Sequence, residues 1–359
     1  MHIIHLVSNN TWGGGEQYVL DLSQAMVADG HHIEIITRPV NDVIDRFTRC
    51  GLSPVAKMPL RGAIDFISAV RLGARLRQCD EVIIHVHNFK DAIVATRARS
   101  LSGNDKVRIV LTRHLIKAGR TSAMYRDLYA RLDAVIFVSD LARKEFLSSN
   151  PPIAPEKLHV VHNSIAVPRH TVVPADISKS DVPVIMHHGR ISPEKGLDIL
   201  LDALSTLTDI PWILRIAGEG TAGHVGPLKQ QARRLDIDKR IEWLGFRPDV
   251  HSIIPSAAIG VVPSTWREPF GLAVLDYMSC GVPVVTTDNG AQPEYLTSGK
   301  DAILVPPSDS AALAAALRTL LTDNAVLQKI GTAGADTFNR SLSYPRFLQH
   351  IYSIYQSVR

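Results

Sequence analysis

The sequence predicts an α/β protein built from two doubly wound domains. Two observations carry that expectation. Short β-branched apolar runs alternate with helical stretches along nearly the whole chain, and such alternation means parallel sheets. The pattern also restarts: residues 3–37 read as strand, loop, helix and strand, and residues 184–217 repeat that order. A length of 359 residues suits two domains of ordinary size.

In the first half, residues 3–8 read as a strand and 9–15 as a glycine-rich loop. Residues 17–29 read as a helix with Tyr18, Leu22, Ala25 and Met26 on one stripe, capped by Gly30. Strands follow at 32–37, 82–86, 107–112 and 134–138, with Ser139 as the N-cap of the next helix. Residues 165–183 hold Pro168, Pro174 and Pro183 without periodicity and read as the linker. The first domain is thus expected over 1–168 and the second over 169–342. In the second half, strands are expected at 184–188, 212–217, 241–244, 259–262, 284–286 and 302–305, with a helix over 197–207. A final helix over 343–359 places Phe347, Ile351, Ile354, Tyr355 and Val358 on one stripe. Ligands of open parallel sheets sit at the carboxyl ends of the strands, so the expected site is a cleft between the two domains.

Composition narrows the function classes. Cys50, Cys79 and Cys280 are scattered, which fits neither a disulfide framework nor a metal cluster and points to a cytoplasmic protein. The N-terminal residues read as a strand and not as a signal peptide, and no apolar run is long enough to span a bilayer. Of a net charge of +4, residues 1–169 carry 22 Lys and Arg against 16 Asp and Glu, and the remainder 17 against 19. Residues 97–131 hold nine basic and two acidic residues, which suits an anionic membrane surface or a phosphorylated acceptor. No stacking aromatics are interleaved, so nucleic acid is not expected.

Three stretches suggest chemistry. Residues 263–283 make a loop, a helix start and a stop, with Glu268 and Asp276 eight positions apart and Pro269-Phe270-Gly271 between them. Leu272, Leu275 and Met278 share one face of that helix. A helix N-terminus beside a glycine suits an anion, and acids on either side suit hydroxyls; together they describe a nucleotide diphosphate sugar. His188-Gly189-Arg190 and Lys195-Gly196 set two cations five positions apart, after a strand and before a helix, which suits a diphosphate. Gly13-Gly14-Gly15-Glu16 lets backbone approach a ligand, but Tyr18 stands where a dinucleotide fingerprint needs its third glycine. His114 follows a strand, while His85 and His87 read as structural; no histidine spacing marks a metal site, and none is expected.

In their order along the chain these motifs resemble a large family of glycosyltransferases: family 4, retaining, with the GT-B fold of two facing Rossmann-like domains. Gly218-Glu219-Gly220 and the run from Val284 to Glu294 extend the likeness over essentially the whole chain. The resemblance implies roles. Arg190 and Lys195 match the pair that holds the donor diphosphate, and Glu268 the acid that binds donor sugar hydroxyls. Gly189, Phe270, Gly271 and Leu272 match backbone around sugar and phosphate, with Gly14 and Gly15 approaching from the first domain. His114 matches a histidine near the reacting sugar, and residues 242–247 the part that meets the base. The C-terminal helix is expected to return to the first domain.

One position departs from the family pattern. Asp276 stands where a ribose-binding glutamate is usual. The implied reaction moves a sugar from a nucleotide diphosphate sugar to a saccharide or lipid-linked acceptor, with retention and without metal or other cofactor. UDP-sugars are favoured over GDP-mannose, and synthesis of cell-surface polysaccharide or lipopolysaccharide is the expected setting. A sugar-nucleotide epimerase would need an acid/base pair that the sequence does not single out. A partner subunit that only binds the donor is opposed by the intact Arg190, Lys195 and Glu268.

Overall fold

A computed structural model describes residues 1–52, 55–62, 64–166 and 182–359. The expected boundary between residues 168 and 169, and most of the expected linker, lie outside the described residues. The chain divides into two compact units, Met1–Asn163 with Pro345–Arg359, and Ser164–Tyr344.

Unit 1 holds a seven-stranded sheet of β1 (His2–Val7), β2 (His32–Thr37), β3 (Val55–Lys57), β4 (Val82–Val86), β5 (Val107–Arg113), β6 (Ala134–Phe137) and β7 (Leu158–Val160). The strand order is β3-β2-β1-β4-β5-β6-β7, parallel throughout. The strands are near-continuous apolar runs because helices cover both faces of the sheet. The connecting helices are α1 (Gly14–Ala28), α2 (Asn41–Arg49), α3 (Phe66–Leu76), α4 (Phe89–Ser102), α5 (Ala123–Ala130) and α6 (Asp140–Leu147). Asn88 caps α4 through Asp91 N (2.9 Å), and Ser139 caps α6 through Ala142 N (3.1 Å), the latter as the sequence predicts.

One face of this sheet is an apolar core that includes Ile4, Leu6, Ile84, Val86, Ile109 and Leu111. The other carries a polar ladder. His5 pairs in register with His85 across β1 and β4, and Thr112 lies beyond it on β5. The C-terminal helix of the chain closes over this ladder: Tyr355 OH lies 2.6 Å from His85 Nδ1, and Phe347 packs edge-on against Tyr18 of α1.

Unit 2 holds a six-stranded sheet of β8 (Val184–His188), β9 (Ile213–Ala217), β10 (Ile241–Gly245), β11 (Ile259–Val262), β12 (Val284–Thr287) and β13 (Ile303–Val305). Its order is β10-β9-β8-β11-β12-β13, again parallel. Its helices are α7 (Leu197–Ser205), α8 (Ala222–Arg234), α9 (Val250–Ile253), α10 (Leu272–Ser279), α11 (Ser310–Thr322) and α12 (Asn324–Thr337). The last helix, α13 (Tyr344–Val358), belongs almost wholly to unit 1. Strand order reverses between β8 and β11, the switch point where such sheets place ligands. Among the described residues, no helix is long and apolar enough to cross a membrane.

Three local expectations need correction. Helix α1 starts at Gly14, not Gln17: Gln17 N already bonds Gly13 O at 3.0 Å, and Glu16 favours the positive end of the helix. Gly14 and Gly15 therefore form the first turn of a helix and are not loop. Strands β3 and β7, of three residues each, escape the sequence reading because they are too short to show a period. In α10 the buried face runs through Val274, Leu275, Tyr277 and Met278, and Leu272 is half-exposed.

Candidate active site

The strand-order reversal of unit 2 sets β8 beside β11, and the loops leaving both strands supply the polar residues. After β8 the chain turns through Gly189 (φ 132°) and exposed Arg190 to a short helical turn over Pro193–Lys195. Gly196 follows in the left-handed region at φ 65°. A Cβ there would lie 2.1 Å from the Pro263 carbonyl oxygen, so only glycine allows the two loops to touch. Thr265 N donates to Glu194 O at 3.0 Å and ties the loops together.

That contact brings Lys195 to Glu268. Lys195 Nζ donates to Glu268 Oε1, and Ser264 Oγ donates to the same oxygen at 2.7 Å. Glu268 is 7% exposed, so the carboxylate is buried but paired. Its own carbonyl accepts from Ala291 N at 3.0 Å. Beyond it, Phe270 stacks on Tyr295 at 4.7 Å between centroids, and Tyr295 OH donates to Phe270 O at 2.7 Å. Gly271 (φ 88°) is the N-cap of α10, and no side chain caps the free N–H groups there. Two amide atoms of buried Gln292, Nε2 and Oε1, have no partner among the described residues and lie beside this turn; a Cβ on Gly271 would be 3.3 Å from Nε2.

Asp276 is a buried carboxylate. It is 8% exposed, and its Oδ2 lies 2.8 Å from His188 Nε2. His251 Nδ1 stands 3.6 Å from Oδ1, too far for a hydrogen bond, and Oδ1 has no partner among the described residues. Arg190 and Lys195 share the β8–α7 loop, but only Lys195 is tied to Glu268. The Ser192 hydroxyl first, and more weakly the charges of Arg190 and Lys195, hold Glu194 below the ordinary carboxylate range. Residues 242–247 are held locally: Glu242 binds Arg215 at 2.6 Å, and Arg247 binds Asp249 at 2.7 Å.

In unit 1 the carboxyl ends of β4 and β5 carry His87 and His114. His87 Nδ1 lies 3.3 Å from His114 Nε2, and His87 Nε2 lies 3.2 Å from His5 Nδ1. Tyr18 of α1 packs edge-on against His114. Burial pushes His114 down to about 4 and His5 to about 3, and holds His85 and His87 well below the ordinary imidazole range. Ligand atoms of His5, His85 and His87 lie within 4.8 Å of one another. Both nitrogens of His85, however, already face Tyr355 OH and Thr112 Oγ1, at 2.6 and 2.7 Å.

The basic stretch is largely committed to the fold. Arg99 pairs with Asp133, Lys106 with Asp80 and Arg131 with Asp127, while Arg108 donates to Val358 O. Arg113 is buried across Phe89 and Phe146. Lys117, Arg120 and Arg126 stay exposed beside two exposed apolar residues, Leu115 (56%) and Met124 (51%).

The sequence reading gave no role to Ser264, His188, Tyr277 and Gln292, although all four lie inside stretches that were read. His188 carried a signal: a histidine ending an apolar strand, next to the phosphate-type loop.

Comparison with known proteins agrees with this fold. Residues 173–337 match the family described as Glycosyl transferases group 1, and residues 12–169 match Glycosyltransferase Family 4. The chain is 27% identical over 356 residues to a glycogen synthase of Mycobacterium tuberculosis, covering 88% of this chain and 84% of that one. It is 28% identical over 348 residues to a phosphatidyl-myo-inositol mannosyltransferase of Mycobacterium leprae, covering 91% and 89%. Among solved structures, HepE of Anabaena in complex with UDP superposes with a TM-score of 0.85 at 22% identity, covering 99% and 100%. The lipopolysaccharide outer core galactosyltransferase WaaB superposes at 0.76 and 16% identity, covering 99% of each chain. With both halves matched in order and two parallel sheets of the GT-B kind, the chain belongs to the family 4, group 1 glycosyltransferases.

Proposed function

We propose that this glycosyltransferase moves a sugar from a nucleotide diphosphate sugar to a hydroxyl of a saccharide or lipid-linked acceptor, with retention of configuration and without a metal ion. The observation that carries the reading is the Lys195–Glu268 pair beside the uncapped N-terminus of α10, at the switch point of unit 2. Cleavage of the donor puts negative charge on the diphosphate. Arg190, Lys195 and the free N–H groups of α10 supply positive potential for it, so no divalent cation is needed.

Glu268 accepts hydroxyls of the transferred sugar, and Asp276 those of the ribose. Gly189, Phe270, Gly271 and Leu272 offer backbone around sugar and phosphate. In unit 1, Gly14, Gly15 and His114, the last uncharged at neutral pH, keep the roles that the family resemblance gives them. A UDP-sugar is the favoured donor, since the similar HepE structures hold UDP, UDP-glucose, or UDP with glucose. GDP-mannose is the second choice, because one relative is named as GDP-mannose-dependent. WaaB and the colanic acid relative support a role in lipopolysaccharide or other cell-surface polysaccharide synthesis. Leu115 and Met124 among Lys117, Arg120 and Arg126 support peripheral docking on an anionic membrane.

The test incubates the purified chain with UDP-sugars and GDP-mannose, excess EDTA and an oligosaccharide or lipid-linked acceptor. The reading expects release of the nucleoside diphosphate and a product with the donor's anomeric configuration by proton NMR. An inverted product, or activity abolished by EDTA and restored by a divalent cation, overturns the corresponding part.

A further inference from the structure

The hydrogen bonds around Asp276 do not balance with an ordinary neutral histidine. Tyr277 has one hydroxyl proton, and burial and the neighbouring Asp276 push its ionisation well up, so the proton stays. The Met186 carbonyl, 2.8 Å away, can only accept, so Tyr277 donates to it. The Tyr277 oxygen must then accept from His188 Nδ1, at 3.0 Å. With Nδ1 already a donor, a neutral His188 would face the Asp276 carboxylate with a lone pair on Nε2, and two acceptors do not approach to 2.8 Å. A further proton therefore sits between Nε2 and Oδ2 and joins them in a hydrogen bond.

The packing is specific to this arrangement. Gly260 of β11 lies against the Tyr277 ring, where a Cβ would come within 2.3 Å, so a glycine opens the space that the ring fills. His188 is 8% exposed and holds its ring edge-on to Tyr277 at 4.9 Å. The result is a carboxylate with one oxygen committed to His188 and the other, Oδ1, buried without a partner among the described residues, beside His251 Nδ1. A buried acceptor next to an imidazole nitrogen is complemented by a hydroxyl, which both donates and accepts.

We propose that His188 is a positioning residue for the nucleoside of the donor: it binds Asp276 Oδ2 and so presents Oδ1 to the ribose hydroxyls. This rests on the reading of unit 2 as the donor site. It also gives the shorter aspartate a fixed anchor in place of the reach of a glutamate.

The test is calorimetric titration of the full chain with UDP and GDP, and with their dideoxyribose analogues that lack the ribose hydroxyls. The wild type is expected to bind the ribose form of the preferred nucleotide roughly tenfold or more tightly than the analogue, the worth of one hydrogen bond to a charged group. His188→Asn can reach Tyr277 but not Asp276, and is expected to bring that ratio close to one. His188→Gln can still donate to Asp276 and is expected to keep most of it. Unchanged affinity for the analogue in both variants marks an intact phosphate site and fold, whereas a general structural role would weaken both ligands together. A ratio that survives in His188→Asn, or an equal loss for both ligands, overturns the role of His188 alone. Equal binding of ribose and dideoxyribose forms by the wild type overturns the orientation of Asp276. No binding of UDP or GDP by the wild type overturns the donor-site reading itself and the proposal with it.

Discussion

Lys195 and Glu268 stand 73 positions apart and form an ion pair that joins the two loops leaving β8 and β11. The lysine is thus both a fold contact and a candidate phosphate ligand. Arg190, exposed on the same loop, carries only the second role. Lys195→Ala and Arg190→Ala are both expected to lower kcat by about 10²–10³-fold, the usual loss of one donor at a developing anion. They should part in stability. Lys195→Ala leaves a buried carboxylate without its cation and lowers Tm, and adding Glu268→Gln recovers part of the loss. Arg190→Ala stays within about 0.5 kcal/mol of wild type. Thermal denaturation beside steady-state kinetics checks both, and equal Tm values would remove the fold role of the pair.

The two acids are expected to fail differently. Asp276→Ala weakens donor binding, raising KM with little change in kcat, because a ribose contact is the same in ground and transition states. Glu268→Ala lowers kcat, because it touches the sugar that reacts. The kinetics of both variants with one donor decide; an unchanged KM in Asp276→Ala removes it from the ribose.

Acid should loosen unit 1. His5, His85, His87 and His114 are held below their ordinary range in the folded chain, while each unfolds to a normal imidazole near 6.5. Below that value the unfolded state binds more protons than the folded one. Stability is therefore fully present above about 6.5 and is lost as pH falls toward about 4, each histidine adding up to about 1.4 kcal/mol per pH unit. Asp91, pushed up to about 7 by burial, acts in the opposite sense as a single group. We expect Tm to drop between pH 7 and 5, and to drop less in His5→Gln. A flat profile would mean that the ladder opens to water before it charges.

Packing at Gly260 gives a steric prediction. Gly260→Ala places a methyl against the Tyr277 ring and lowers stability by about 1–3 kcal/mol, the cost of overpacking. Tyr277→Leu in the same chain should return part of it. Chemical denaturation of the single and double variants measures the coupling, and purely additive losses would contradict the contact.

The parallel sheets, the two-domain fold and the loops at residues 189–196 and 263–271 were legible because strand runs, glycines and charges are local signals. What stayed hidden was pairwise. Lys195 and Arg190 look alike in sequence, and only the Gly196–Pro263 contact shows that Lys195 meets an acid. Asp276 read as an acceptor for hydroxyls, but helical spacing does not reveal that β8 ends in a histidine bonded to it. The nine basic residues of 97–131 read as one patch, yet several spend their charge on Asp80, Asp127 and Asp133.

For the membrane, the remaining exposed set makes the expectation sharper. Binding to vesicles rich in anionic lipid should weaken as salt rises, at about 1 kcal/mol per basic residue near the surface. Lys117→Glu with Arg126→Glu should abolish it, while Lys106→Glu should matter little, since Lys106 already pairs with Asp80. Equal co-sedimentation with neutral vesicles would rule out the electrostatic version.

Unit 1 is interrupted in sequence: its last helix is made only after all of Ser164–Tyr344. During synthesis its histidine ladder must wait, with His85 lacking Tyr355, until the ribosome has finished unit 2 and released the final residues. Unit 2, contiguous in the chain, meets no such delay. A chain cut after Tyr344 should therefore present a finished unit 2 and an open, protease-sensitive sheet in unit 1, so the order of manufacture sets which half is complete first.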